Sequence, residues 1–264
     1  MKSIQTAKRI VIKVGTSTLT HENGKLNLKR MDEICRVISD LQNADKEIVL
    51  VTSGAIGVGV GKLSLPSRPS KTEEKQAIAA IGQCELMFMY DKFFSEYDQV
   101  AAQILLTKNI TDRSRKNVQN TFNELFRLGA VPVVNENDTV ETAELEGTSY
   151  GDNDMLSAIV SELIHADSLV IFTDIDGLYD ADPRNNPNAN IIHQVDDITD
   201  EIRDIACGSG SNRGTGGMST KIYAADFATS HGIPAYIMNG SEPENLYKLI
   251  NGETIGTYFV PANV

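Results

Sequence analysis

A chain of 264 residues that is 41% hydrophobic and 23% charged, with only 8 prolines, has the composition of an ordinary globular protein and not of a disordered one. Its 36 acidic against 24 basic residues give a net charge of −12, which argues against a nonspecific binder of nucleic acid or of an anionic membrane, since both need clustered positive potential. The 3 cysteines, Cys35, Cys84 and Cys207, are scattered and form no Cys/His cluster, no stretch approaches the roughly 18 apolar residues of a membrane span, and Met1 to Lys13 lacks a secretory apolar core, so a cytoplasmic protein with buried inert thiols and no structural zinc is expected.

In chain order, Arg9 to Val14 reads as a buried strand, and it ends in Lys13-Val14-Gly15-Thr16-Ser17. A lysine between Ile12 and Val14 is expensive to bury alone and requires an anion. Asn27 to Leu41 places Leu28, Met31, Ile34, Cys35, Ile38 and Leu41 on one helical stripe. Glu47 to Thr52 is a second strand and runs into Thr52-Ser53-Gly54-Ala55-Ile56-Gly57-Val58-Gly59, where a helix begins. Small residues there let the backbone approach a phosphate or carboxylate, and the helix N-terminus favours an anion; the same glycines equally suit tight helix–strand packing. The turn matches neither the P-loop nor the dinucleotide fingerprint.

Lys71 to Phe94 is a helix whose Phe88, Tyr90, Phe93 and Phe94 belong to the core or to a subunit interface. Val100 to Leu106 is a strand, Ser114 to Leu128 a helix and Val131 to Val134 a strand. From Asn135 to Gly151 the chain carries Glu136, Asp138, Glu141, Glu144 and Glu146 with no Lys or Arg, an acidic excursion expected to form a substrate lid. Gly151-Asp152-Asn153-Asp154 then precedes a helix over Asp154 to Ile164; taken singly, Asp152 or Asn153 is an N-cap. Ser168 to Thr173 is a strand that continues into Asp174-Ile175-Asp176-Gly177. Gly208 to Gly217 holds 5 glycines and leads into a helix over Met218 to Ser230 with Lys221 in its first turn. Strands alternating with helices in this way predict right-handed crossovers and an α/β fold with a mainly parallel sheet covered on both faces. Ligands then bind beyond the carboxyl ends of the strands.

The set Lys13-Val14-Gly15-Thr16, Ser53-Gly54-Ala55, Asn135-Glu136-Asn137-Asp138, Gly151-Asp152-Asn153-Asp154, Thr173-Asp174-Ile175-Asp176-Gly177-Leu178-Tyr179 and Gly214 to Lys221 resembles the amino acid kinase superfamily, and within it the glutamate-phosphorylating family. The resemblance spans nearly the whole chain, in order. It implies a three-layer αβα sandwich, one domain over 1–264 with a glutamate-binding half near 1–166 and a nucleotide-binding half near 167–264. Many members carry an additional C-terminal PUA domain, whereas this sequence stops at Val264.

The resemblance further implies ATP and L-glutamate as substrates, with Mg²⁺ held through the ATP phosphates and no protein metal ligands. The product is L-glutamyl 5-phosphate, the first intermediate of proline biosynthesis. A glutamate side chain, with a pKa of about 4.3, is already ionised and needs no general base. The obstacle is repulsion, on the order of 4 kcal/mol for two unit charges about 4 Å apart at an effective dielectric of 20. Lys13 and Lys221 are the residues expected to cancel it, with Asp154 organising both.

Ser53, Asp138 and Asn153 match glutamate-binding positions, flanked by Gly54, Ala55, Asn135 and Asp152. Lys13, Gly15, Thr173, Asp174, Thr215, Gly216, Gly217, Met218, Ser219, Thr220 and Lys221 match the nucleotide site. Family members are commonly homo-oligomeric, as dimers or tetramers, and inhibited by proline; their product is consumed by a glutamyl phosphate reductase. The alternatives are another acceptor within the superfamily, such as aspartate, N-acetylglutamate or UMP, and a non-catalytic sensor of proline or glutamate.

Overall fold

The computed structural model describes residues 4–107, 110, 112–140, 153–207 and 217–262. Their strands are β1 (Arg9–Val14), β2 (Glu47–Thr52), β3 (Val100–Leu106), β4 (Ala130–Glu136), β5 (Ser168–Thr173), β6 (Gln194–Val195), β7 (Ala235–Asn239) and β8 (Thr257–Phe259), joined in one sheet of order β3-β4-β2-β1-β5-β7-β8-β6. Every pairing is parallel except β7 with β8. The first four strands therefore form one side of the sheet and the later four the other, with β1 and β5 meeting at the centre.

The helices are α1 (Thr16–Leu19), α2 (Leu28–Asn43), α3 (Ala55–Leu63), α4 (Thr72–Ser95), α5 (Asp112–Arg127), α6 (Asn153–Leu163), α7 (Asp200–Cys207), α8 (Met218–Ser230) and α9 (Asn245–Ile250). Side chains alternate across a strand, so β1 feeds both layers. Ile10, Ile12 and Val14 pack with Met31, Ile34 and Ile38 of α2 and with Leu86 and Tyr90 of α4. Val11 packs on the opposite face with Leu156 and Val160 of α6 and with Ile222 and Ala225 of α8. Lys13 lies two residues beyond Val11 and so shares the α6 face. Strands buried on both sides must be apolar nearly throughout, which is why β1, β2 and β5 read as continuous runs.

Helix α2 starts where Asn27 accepts a hydrogen bond from the Arg30 N–H at 3.1 Å. Helices α3 and α4 cross unusually closely: a Cβ on Gly82 would lie 1.8 Å from the Ala55 carbonyl oxygen. This contact ties α4 to the start of α3, where Gly54 adopts a left-handed φ of 100°.

Two expectations need correction. Asn135 and Glu136, assigned to a lid, are the buried end of β4, because that strand stays paired with β3 as far as Leu106 and Glu136. Residues 141–151 of the expected lid lie outside the described residues. Cys84 is exposed on α4, unlike the buried Cys35, whose thiol is pushed up by burial and by the nearby Asp32 charge. On the same helix Phe88 is 61% exposed, while Tyr90 and Phe94 are fully buried in the core.

Candidate active site

The chemistry-bearing side chains gather beyond the carboxyl ends of the parallel strands. Asp154 is in the first turn of α6, which packs against both β1 and α8. Lys13 comes from the end of β1 and Lys221 from the first turn of α8. The ammonium of Lys13 lies 2.7 Å from Asp154 Oδ1, and that of Lys221 lies 3.2 Å from Oδ2. Thr220 Oγ1 adds a contact of 2.8 Å to Oδ2. Asp154 has no exposed surface and the two lysines are 1% and 5% exposed. Burial by itself raises the Asp154 carboxyl, but the charges of Lys13 and Lys221, with the hydrogen bonds from Lys13 and Thr220, outweigh it and hold the group below its ordinary value. Among the described residues the cluster holds two ammoniums and one carboxylate, a formal charge of +1 (two positive, one negative). Such a cluster attracts an anion.

Backbone donors stand beside it. Gly15 precedes α1, and a Cβ there would lie 3.5 Å from the Lys13 ammonium, so the chain passes directly by that charge. Gly54 and Ala55 form the start of α3, the end of a helix at which backbone N–H groups lack intrahelical acceptors.

On the β2 and β4 side lies a chain of amides. Asn153, adjacent to Asp154, donates through Nδ2 to the Thr52 carbonyl and, at 2.6 Å, to Asn135 Oδ1. Asn135 Nδ2 donates to Gln83 Oε1 on α4 at 2.6 Å, and the Thr52 hydroxyl meets the Tyr90 hydroxyl at 2.8 Å. Ser53, next to Thr52, is buried, and its hydroxyl has no partner among the described residues. Asp138 is half-buried in the turn that follows β4.

On the β5 and β7 side, Thr173 ends β5 and donates from Oγ1 to Asp174 Oδ1 at 3.1 Å. Asp174 is also paired with Arg184 at 2.8 Å on the surface. Asn239, the last residue of β7, donates to Asp176 at 2.8 Å, and Gly240 N–H donates to the Thr173 carbonyl. Gly217 accepts from Thr220 at 2.8 Å and lies 3.5 Å from the Lys221 ammonium, so Gly217, Met218 and Ser219 enter α8 alongside the cluster. Asp152, Thr215 and Gly216 lie outside the described residues.

Sequence reasoning singled out Lys13, Lys221, Asp154, Asn153, Asn135 and Ser53, and the fold gathers these. It missed Gln83, Tyr90, the Thr52 backbone and Asn239. The available signal for Gln83 was a polar residue on the apolar stripe Ala79, Gln83, Leu86, Tyr90; Asn239 ends a strand that was not read.

A chain of amides at β2 and β4, polar strand ends at β5 and β7, and a cationic cluster at β1 between them lie at the carboxyl ends of one α/β sheet, an arrangement suited to binding anions. Residues 8–239 match the amino acid kinase family, and the chain belongs to it. The chain is 55% identical to the glutamate 5-kinase of Clostridium perfringens, over 98% of this chain and 97% of that one. It is 49% identical to the glutamate 5-kinase of Listeria monocytogenes, over 98% and 95%. Among solved structures it resembles an isopentenyl phosphate kinase (TM-score 0.67, 18% identity, 96% of this chain and 100% of that one) and the UMP kinase of Bacillus anthracis (TM-score 0.65, 16% identity, 96% of each). These last two share the fold.

Proposed function

We infer that the chain transfers the γ-phosphoryl group of ATP to the side-chain carboxylate of L-glutamate, the first step of proline biosynthesis. The observation that carries this reading is the buried Lys13–Asp154–Lys221 cluster with its net positive charge, set between the two sides of the sheet. Two anions must meet there, and a fixed positive charge in a low-dielectric site offsets their repulsion most strongly in the transition state, when the phosphoryl group lies between them.

Lys13 and Lys221 contact the transferring phosphoryl group, and Asp154 holds their ammoniums in place. Asp154 does not act as a base, because the nucleophile is ionised at neutral pH. Gly15, Gly54 and Ala55 donate backbone hydrogen bonds to the moving group. The Ser53 hydroxyl and the second Asn135 Nδ2 hydrogen donate to the glutamate carboxylates, Asn153 shapes the site through the hydrogen bonds that hold Thr52 and Asn135, with Asp152 beside them, and Asp138 takes the ammonium. Thr173, Asp174 and the segment Thr215 to Lys221 bind the nucleotide, so the halves 1–166 and 167–264 divide acceptor from donor.

Among the described residues no group of three or more His, Cys, Asp and Glu could hold a metal, and the Asp154 carboxylate is engaged by lysines. Mg²⁺ would enter on the ATP phosphates, where it would neutralise charge on the β and γ groups. The protein assembles as a dimer or tetramer; Ile81 and Phe88 of α4 and Val100 of the edge strand β3 are exposed apolar residues suited to contact between copies. Proline inhibits it, and a reductase consumes the labile acyl phosphate in the cytoplasm. No helix among the described residues is long and apolar enough to cross a membrane.

The test is ADP release with glutamate, ATP and Mg²⁺, the product being trapped by hydroxylamine as the hydroxamate. Turnover with glutamate and background rates with aspartate, N-acetylglutamate and UMP are expected. Turnover with one of the others instead, or glutamate binding without ADP release, would replace this reading.

A further inference from the structure

Three side-chain amides meet on the acceptor side, and backbone groups at their ends fix which way each is turned. The Thr52 carbonyl only accepts, so Asn153 presents Nδ2 to it. The Glu136 N–H only donates, so Asn135 presents Oδ1, at 2.9 Å. That same oxygen accepts from Asn153 at 2.6 Å, which leaves Asn135 Nδ2 needing an acceptor, and Gln83 Oε1 supplies it at 2.6 Å. The orientation of Gln83 is thereby set from both ends of the relay, and what remains over is its Nε2 donor. Gln83 is 9% exposed, and among the described residues Nε2 has no hydrogen-bond partner.

A buried donor left unmade costs about 1–3 kcal/mol, so a polar group in this state asks what completes it. Ser53 Oγ, next to the Thr52 carbonyl that anchors the relay, is buried and without partner in the same sense. Two unfilled polar groups on either side of one amide pair suit a ligand rich in acceptor oxygens. An amino acid with two carboxylates is such a ligand.

We propose that Gln83 is a specificity-determining residue of the acceptor site: Nε2 donates a hydrogen bond to a carboxylate of the amino-acid substrate, while Oε1 holds Asn135 and Asn153 in register. The proposal rests on the glutamate-acceptor reading above. It gives α4, which carries none of the motif residues, a direct part in choosing the acceptor.

Two variants separate donation from mere bracing. Gln83→Glu keeps an oxygen for Asn135 and replaces the donor with a carboxylate oxygen; Gln83→Met conserves volume and removes both functions. Steady-state hydroxamate kinetics are measured for each beside the wild type, with circular dichroism. Gln83→Glu is expected to raise the glutamate KM at least tenfold with the ATP KM within twofold, and Gln83→Met to raise the glutamate KM as well. A glutamate KM within twofold of wild type in Gln83→Glu overturns the proposal, whatever Gln83→Met does. Should Gln83→Glu lose its fold, Gln83→Met decides by the same thresholds. Absence of glutamate turnover in the wild type would instead overturn the acceptor reading itself.

Discussion

Asp154 sits where a carboxylate would be costly were it alone. Burial disfavours its charge, and two ammoniums and a threonine hydroxyl restore it. Removing one partner from a buried ion pair costs roughly 3–5 kcal/mol, because the remaining charges are stranded. Asp154→Asn is therefore expected to lower unfolding free energy by an amount in that range and to depress kcat, as read by urea denaturation and ADP release. The folded-state value of this carboxyl lies below its unfolded value of about 3.9, so its contribution to stability is complete above the unfolded value and is lost as pH falls through the folded one. The stability gap between wild type and Asp154→Asn should thus close on acidification below about pH 4. A gap that stays constant into that range would contradict the assignment.

Asp138 makes a more limited claim: Asp138→Ala should raise the glutamate KM by about tenfold, the equivalent of about 1.4 kcal/mol of lost binding, while sparing the ATP KM. An unchanged glutamate KM would remove it from the site. At this scale the sequence was informative for Lys13, since a lysine inside an apolar strand must have an anion. Taken alone, Asp154 reads as an ordinary residue at a helix start; only the family resemblance pointed to it as the organiser of both lysines, and the structure sets it 2.7 Å from Lys13.

Helix α4 connects packing with function. Gly82 lets α4 approach the first turn of α3, and the next residue, Gln83, enters the amide relay, with Tyr90 two turns on at the Thr52 hydroxyl. A methyl at position 82 would collide with the Ala55 carbonyl at 1.8 Å, so Gly82→Ala must push the helices apart. Overpacking of this kind costs about 1–3 kcal/mol. A melting temperature lower by several degrees is expected, together with a higher glutamate KM as Gln83 moves away; calorimetry showing an unchanged melting temperature would mean that the crossing relaxes freely. The long amphipathic helices were readable because the 3.6-residue stripe is sustained over many turns. The strands β6 and β8, two and three residues long, carry too little periodicity to be seen, and they exist because neighbouring strands offer an edge to pair with. The boundary of β4 was missed for a different reason: Asn135 and Glu136 are polar and acidic, yet they are buried strand residues because their backbone pairs with β3.

For the whole molecule, the order of the strands matters more than their identity. Placing β1 at the centre, flanked by β2 on one side and β5 on the other, puts Lys13 between the amides of the β2–β4 side and the β5–β7 edge. Helices α6 and α8, which pack together on one face, then bring Asp154 and Lys221 to the same point from positions 67 residues apart. Local pattern cannot show such an arrangement, because strand order is decided by crossovers and shared core rather than by any one segment. What the sequence did offer was the set of polar residues that end the strands. The most direct test is hydroxamate formation from glutamate and ATP by wild type and by Lys221→Ala, with circular dichroism to establish that both are folded. A fall in kcat of about 100-fold or more in the folded variant is expected from loss of a charge that acts in the transition state. A kcat within threefold of wild type would contradict the claim that Lys13 and Lys221, held by one buried carboxylate, let the two anions react.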